Sequence, residues 1–448
     1  MPGHKLGAGI PAEFLKEIEK LDLTEISGTD NLHKPTGAIR EAQELAASAF
    51  GARRSFFLVN GCTAGLHAVI AAMCRPGQRL IVGRDCHRAV INGMLLAGVT
   101  PVYMLPEYTE KFCVNTGITA ATVRKALETT PDAAGVLITR PNYYGICSDI
   151  GEIADVVHTY GKPLAVDEAH GAHLAFNPRL PASALQAGAD ICVQSAHKTL
   201  PAFTQGAYLH IGSDRIDEER LWYFLDMFQT TSPSYVIMTY LDIARAIMHE
   251  NGKVLLDELL DSIEACSARM TARGIILLGI NDVPGFRFDP TRITAKVSEL
   301  GMTGYQAETL LRDKYNIQVE MSDLHNIVCI STVADDAASI ARLFDSLPGL
   351  GEYGEQDTHP AEPVYGGLTL PDSVAEPSEI LNAGSVRIAL DNAAGRVSRE
   401  IISPYPPGMA LVCPGETFTS ETVDYLVHIR QCGGVVHGID ENGSVVVV

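Results

Sequence analysis

No Cys-x-x-Cys pair occurs in the sequence, no loop ends in Gly-Lys-Ser/Thr, and no His-Glu-x-x-His motif appears. The first absence removes the usual zinc-ribbon and dithiol readings, the second the Walker-type nucleotide loop, and the third the common metalloprotease centre. No window reaches the roughly 18 uninterrupted apolar residues of a membrane span, and Met1 to Lys5 carry no apolar signal region. Cytoplasmic residence is the expectation. The ten cysteines lie mostly in apolar or helical runs, which fits reduced, buried thiols. Basic residues are the scarcer charge: 34 Lys and Arg face 54 Asp and Glu, a formal net charge of -20. That balance disfavours nucleic acid and anionic lipid as partners and mildly attracts cationic small molecules. No internal repeat and no highly charged, apolar-poor tract interrupts the 448 residues, so a folded chain of two or three domains is expected.

What is present is a strand-helix alternation from about residue 50 to 215. Phe56 to Val59, Leu80 to Val82, Gly135 to Ile138, Leu164 to Val166 and Ile191 to Val193 are short apolar runs separated by helix-like segments. They predict an α/β layer with a mainly parallel sheet. Ligands of such sheets sit at the carboxyl ends of the strands, where Asn60, Asp85, Asp167 and Ser195 to Lys198 fall. Beyond about residue 285 a smaller α/β unit is expected. Thr303 and Gln306 form a capping box for a helix with Ala307, Leu310, Leu311 and Tyr315 on one face, followed by a strand at Ile317 to Glu320. The Gly-, Pro- and acid-rich stretch 349–379 reads as a long surface connection. Val386 to Ser403 reads as helical, Pro404 to Gly408 as a turn and Glu421 to Gln431 as the last helix. The division expected is an N-terminal arm at 1–30, a large domain at 31–285 and a C-terminal region at 286–448.

The chemistry begins at Ser195-Ala196-His197-Lys198-Thr199. A lysine held at a strand end in apolar surroundings loses part of its preference for the charged form and forms an imine with an aldehyde cofactor. On its own such a lysine is more often a surface charge. Asp167, at the end of Leu164-Ala165-Val166, changes the balance: a buried carboxylate needs a cationic partner, and a protonated pyridine nitrogen is one. The pair would make the ring an electron sink for a carbanion at a substrate α-carbon. A helix cap and a metal ligand are the other readings of Asp167; His170 and His173 stand nearby, but no thiolate cluster accompanies them, and no metal is expected. Asn60-Gly61-Cys62-Thr63-Ala64-Gly65 links a strand to a helix, where backbone N–H groups and the Thr63 hydroxyl suit a phosphate, although such a turn is as often only a tight turn. His87 ends the next strand region as a flat ring suited to stacking, and Thr230 to Ser234 offers hydroxyls either for a phosphate site across a dimer interface or for a polar turn.

Taken together these segments resemble the ornithine/lysine/arginine decarboxylases of the fold type I pyridoxal-phosphate class. Gly28 to Gly37, Phe57 to Thr63, Asp85-Cys86-His87, Asp167 to Gly171, Ser195 to Pro201, Gly395 to Ser398, Tyr405 to Gly408 and Pro414-Gly415-Glu416 carry the resemblance along almost the whole chain. It implies an aspartate-aminotransferase-like large domain with a mainly parallel sheet, smaller C-terminal α/β units, and a homodimer with sites at the interface. It also implies pyridoxal 5'-phosphate held by Lys198 as a Schiff base, with Asp167 on the pyridine nitrogen, His87 stacked on one ring face and Ala169 on the other. Thr63, Ser195, His197 and the Cys62 backbone would bind the phosphate, and His170 would lie beside the phenolic oxygen or the reacting carbon. The implied reaction is decarboxylation of arginine, lysine or ornithine to the amine and CO2. The chain departs from the family at Cys62, where a hydroxyl is common, and at Arg140, where a small polar residue is usual. The N-terminal regulatory domain of the larger inducible enzymes is not expected. Glu416 and Asp30 are candidates for recognising a basic side chain, and each reads equally as a solvated acid. Arg140 or Arg387, holding the substrate carboxylate, would instead suit an aminotransferase, or a lyase or cyclase acting on an arginine derivative. A catalytically silent binding subunit is the third alternative.

Overall fold

Seven apolar runs pair into one sheet. They are β1 (Arg54–Leu58), β2 (Arg79–Gly83), β3 (Thr100–Met104), β4 (Val136–Thr139), β5 (Leu164–Asp167), β6 (Ile191–Gln194) and β7 (Ala207–Ile211). Their spatial order is β1-β7-β6-β5-β4-β2-β3. The five strands from β6 to β3 run parallel, and β7 pairs antiparallel to both β6 and β1. The computed structural model describes residues 1–16, 18–354, 370–405 and 408–448. The parallel strands β4 to β6 are almost continuously buried, because helices cover both faces and no side chain needs to point to water. On one face the helices Gly61–Met73, Arg88–Ala97 and Glu218–Phe228 pack through Leu66, Val69, Val90 and Leu221 onto Leu58, Val82 and Val193. On the other, Ala120–Thr129 and Ile150–Thr159 bring Val123, Leu127, Ile153 and Val157 onto Ile138 and Val166. The five strands expected from the sequence are all present, and β3 and β7 complete the sheet.

A helix of 33 residues, Tyr235–Ser267, leads to a second antiparallel sheet made of Ile276–Leu277, Arg292–Lys296, Asn326–Ile330 and Met321–Ser322. The capping box is as expected: Thr303 Oγ1 accepts the Gln306 N–H, and Gln306 Oε1 accepts the Thr303 N–H at 2.8 Å. The strand expected at Ile317 to Glu320 lies elsewhere. Asn316 closes the helix in a left-handed conformation and the Ile317 N–H returns to Leu311 O, so pairing begins only at Met321–Ser322. The segment read as one helix, Val386 to Ser403, is instead a strand, Val386–Ala389, followed by a single 3-10 turn, Leu390–Asn392, and a non-helical stretch. Val386 and Ile388 are β-branched and pair with Val447 and Val445, and Gly395 turns the chain at a φ of +77°. Pro404 and Tyr405 likewise belong to a strand, paired with Val436 and Val435, while Pro406 and Pro407 of the expected turn lie outside the described residues. Of the expected connection at 349–379, residues 355–369 also lie outside them, and its described ends join a 3-10 turn, Pro348–Tyr353, and the helix Pro377–Asn382. The last helix is Ser420–Gln431, and it encloses a satellite core with Ile402, Phe418, Leu426 and Val445.

Candidate active site

β5 and β6 end side by side, and their next residues converge on a cavity of about 300 Å³. Asp167, Ala169, His170, Ser195, His197 and Lys198 line it from these two strand ends. Asn60, Gly61, Cys62 and Thr63 enter from the start of the helix after β1, and His87 from the start of the helix after β2. Every cofactor-binding and catalytic candidate from the sequence therefore meets in one place. Thr139, Pro141, Tyr143, Thr204 and Gln205 also line the cavity and were not singled out. Tyr143 had a usable signal, since it follows a strand end as the others do.

Lys198 sits in a single turn, Ala196–Thr199, that Leu200 closes by donating its N–H to Ala196 O. Its Nζ is 3.1 Å from His170 Nε2. His170 is held well below the ordinary histidine range by burial first and then by the positive charges of Lys198 and Arg292, so its neutral ring accepts from the ammonium. Asp167 is 2% exposed, and burial raises its carboxyl while Lys198 opposes that rise. Its Oδ1 accepts the Ala169 N–H at 3.1 Å, and among the described residues Oδ2 has no donor. His87 is pushed down to about 4 by burial, then Lys198 and Arg88, and its Nδ1 accepts the Ala89 N–H, which fixes a neutral ring.

The opposite wall is built for an anion. The helix Gly61–Met73 points its first turn into the cavity, with Gly61 at a φ of +72°. The Gly61 N–H is consumed by Gln205 O, leaving the following N–H groups and the exposed Thr63 hydroxyl. Ser195 Oγ donates to Cys62 Sγ at 2.9 Å, and burial pushes the Cys62 thiol up to about 12, so it stays protonated. His197 Nδ1 is bound to Gly206 O. Thr230 to Ser234 does not line the cavity; the Thr230 N–H reaches Asn60 Oδ1 at 3.1 Å, and Ser234 caps the long helix.

This set fits pyridoxal phosphate: an amine, a buried carboxylate with one open oxygen, a flat neutral imidazole and a helix start share one small cavity. Among the described residues no group of three or more metal-ligating side chains is present. His173 turns away from the cavity to Asp289, 3.0 Å distant.

The substrate-side candidates are placed differently. Arg140 is 2% exposed and donates to Glu168 Oε1 at 2.9 Å, away from the cavity lining. Glu168 also accepts from Ala184 N and Gln194 Nε2, and the chain continues through His210 to Ser55, crossing β5, β6, β7 and β1. Asp30 caps its own loop, accepting backbone N–H groups of Asn31, Thr36, Gly37 and Ile39; burial opposes the charge, and these bonds still hold it below the usual carboxylate range. Glu416 makes two 2.7 Å bonds to Arg84. Arg387 pairs with Asp440 at 2.7 Å. Glu320, which the sequence reading treated only as a strand end, is exposed and acts electrostatically on Tyr143 of the cavity wall.

Comparison with known proteins agrees with this geometry. The Orn/Lys/Arg decarboxylase major domain matches residues 1–296, and the C-terminal domain of the same family matches residues 371–442. Arginine decarboxylase of Bacillus subtilis (strain 168) is 35% identical, over 99% of this chain and 92% of its own length. Arginine decarboxylase of Bacillus anthracis is 34% identical, over 98% and 91%. Lysine decarboxylase A from Pseudomonas aeruginosa superposes with a TM-score of 0.82 at 20% identity, covering 100% of this chain and 78% of that one, and shares the fold. With both family domains matched in order, and the lysine, aspartate and histidine of the motifs gathered around one cavity, the chain belongs to the Orn/Lys/Arg decarboxylase family.

Proposed function

We propose that this protein is a pyridoxal-phosphate-dependent decarboxylase of a basic amino acid, with arginine as the substrate. The observation that carries the reading is the cavity in which Lys198, His170 and the open oxygen of Asp167 meet. The arginine decarboxylases above, each about one-third identical over nearly the full chain, support the choice among basic substrates. The acidic balance of the protein suits a cationic substrate of any of these kinds.

When bound, pyridoxal phosphate supplies an aldehyde carbon and a ring that accepts the electron pair released with CO2. Lys198 would provide the amine that holds that carbon. Asp167, 2% exposed, would bind at the ring nitrogen, where its negative charge would favour a proton. His87 and Ala169 would hold the ring. The start of the helix Gly61–Met73, with Thr63, Ser195 and His197, would hold the phosphate. Lys198 Nζ lies 3.1 Å from Nε2 of His170, so this pair would hold and deliver a proton at the substrate's α-carbon. A homodimer in the cytoplasm, with a small-molecule substrate, belongs to the same reading. No described helix is long and apolar enough to cross a membrane.

The rival transaminase or lyase chemistry rested on Arg140 or Arg387 clamping the α-carboxylate. Both guanidiniums are paired elsewhere, with Glu168 and Asp440. The test is to load the wild type and Lys198→Ala with cofactor and measure CO2 and amine from arginine, lysine and ornithine separately. Release from arginine, absent in the variant, is expected. A cofactor absorbance band with keto acid and no CO2 would refute the assignment.

A further inference from the structure

A fully buried arginine lies behind the catalytic pair, and its setting is a poor one for stability. Arg292 opens the strand Arg292–Lys296 and is 1% exposed. Ile293 and Ala295 of that strand join the core around the long helix, so the alternation sends Arg292 to the opposite side. Its stem passes Gly145, where a Cβ would stand 2.7 Å from Arg292 Cβ and 2.8 Å from Asp289 O. Only glycine leaves that passage open. The nearby carboxylate, Asp289, remains 3.8 Å from Nη1 and is already engaged by Thr291 at 2.7 Å and by His173 at 3.0 Å. Among the described residues Arg292 Nε has no hydrogen-bond partner. A buried cation with a loose counter-ion and an orphaned N–H is seldom retained for stability alone.

Its shortest bond shows what it holds: Nη2 donates to the carbonyl oxygen of His170 at 2.8 Å. His170 needs that anchor. Among the described residues its Nδ1 has no acceptor, and its ring is otherwise tied only to Lys198 and packed edge-on against Tyr143, 5.0 Å away. The turn around it is tight, since a Cβ on Gly171 would stand 2.5 Å from Glu168 Cγ. We propose that Arg292 is a positioning residue for the reaction: through the His170 carbonyl it fixes the ring against Lys198 Nζ. This rests on the decarboxylase reading.

The charged and titratable groups acting on His170 are Lys198, Arg292, His87 and His197, with Tyr143 at its edge. Burial is the main reason its affinity for a proton is low, and all four groups lower it further, so removing Arg292's charge raises it. The neutral ring is the working form; activity then fails at a higher pH on the acid side.

The experiment compares cofactor-loaded wild type, Arg292→Gln and Arg292→Lys for kcat, KM, the pH profile, and the pH dependence of the bound cofactor's visible absorbance. For Arg292→Gln we expect kcat to fall at least about tenfold with little change in KM, since small misplacements of a catalytic group carry such penalties. The acid limb and the absorbance transition should both move to higher pH. Arg292→Lys should restore the limb and the transition while kcat stays low. A Gln variant with wild-type kcat overturns the proposal, and so does lost kcat with both pH readouts unmoved. Should the Gln variant not fold, wild-type kcat in the Lys variant overturns it and a lowered kcat at full cofactor content supports it. A wild type that binds cofactor without releasing CO2 defeats the underlying reading instead, and that arm is read first.

Discussion

Replacing Glu416 by alanine separates a structural acid from a substrate-binding one. Arg84 is 0% exposed and Glu416 is 3% exposed, and two 2.7 Å bonds join them across 332 residues of sequence. The carboxylate also accepts the Cys413 N–H at 2.7 Å, and Arg84 stacks over Tyr103 with 4.5 Å to the ring centroid. Arg84 follows β2, whereas Glu416 belongs to the C-terminal region, so the pair pins that region to the main sheet. Removing one partner of a buried pair leaves the other uncompensated, at about 3–5 kcal/mol. Arg84 keeps Leu411 O and Cys413 Sγ as acceptors, which places the expected loss near the lower end of that range. Glu416→Gln, which keeps one acceptor, should lose less. The double change Arg84→Met with Glu416→Leu removes both charges and should recover most of the stability. Urea denaturation of the cofactor-loaded protein reads these differences, and steady-state kinetics on arginine run alongside. The reasoning fails if Glu416→Ala unfolds at the wild-type urea concentration, or if it raises KM strongly while the double variant is no more stable than the single.

Asp167→Asn keeps the shape but loses the charge opposite the ring nitrogen; kcat should fall about 100- to 1000-fold at unchanged cofactor content, as with other removals of a single preorganised group. A fall of less than tenfold would contradict its role. Stability should also respond to pH through three histidines, two half-buried and one fully buried: His87 and His197 are pushed down to about 4 and His210 to about 3, in each case chiefly by desolvation. Their folded-state values lie below the unfolded one near 6.5, so the unfolded chain binds more protons in between. Stability from this source is full above about 6.5 and declines as the pH falls toward 4; denaturation midpoints at several pH values would detect it, and midpoints flat across that window would contradict it.

The sheet was legible because its parallel strands are buried on both faces and so appear as unbroken apolar runs. β3 was missed because Pro101 interrupts it, which only an edge strand tolerates, and β7 because Tyr208 and His210 break the apolar pattern. The site was legible where chemistry and strand ends coincide, as at Asp167 and Lys198. Charges were legible as charges but not by destination. Arg140, Asp30 and Glu416 each lie in sequence within segments that suggest ligand binding, and each is consumed by a protein partner whose distance in sequence, from 1 to 332 residues, local pattern does not encode. Arg292 was passed over for the same reason. Nothing near it in sequence announces the carbonyl of His170, 122 residues away.

The polar chain from Arg140 to Ser55 has a consequence for synthesis. β1 finds its pairing partner only in β7, from Arg54 opposite Ile211 to Leu58 opposite Ala207. At a translation rate of about 5–20 residues per second, β1 waits on the order of ten seconds or more as an unpaired edge after leaving the ribosome. Ser55, buried at 1% in the finished protein, has no hydrogen-bond partner in the sheet until His210 arrives. Ser55 follows Arg54 at the start of that edge, and these two polar residues make it less adhesive to other nascent chains during the wait, while the Ser55 hydroxyl then marks the register in which the last strand closes the sheet.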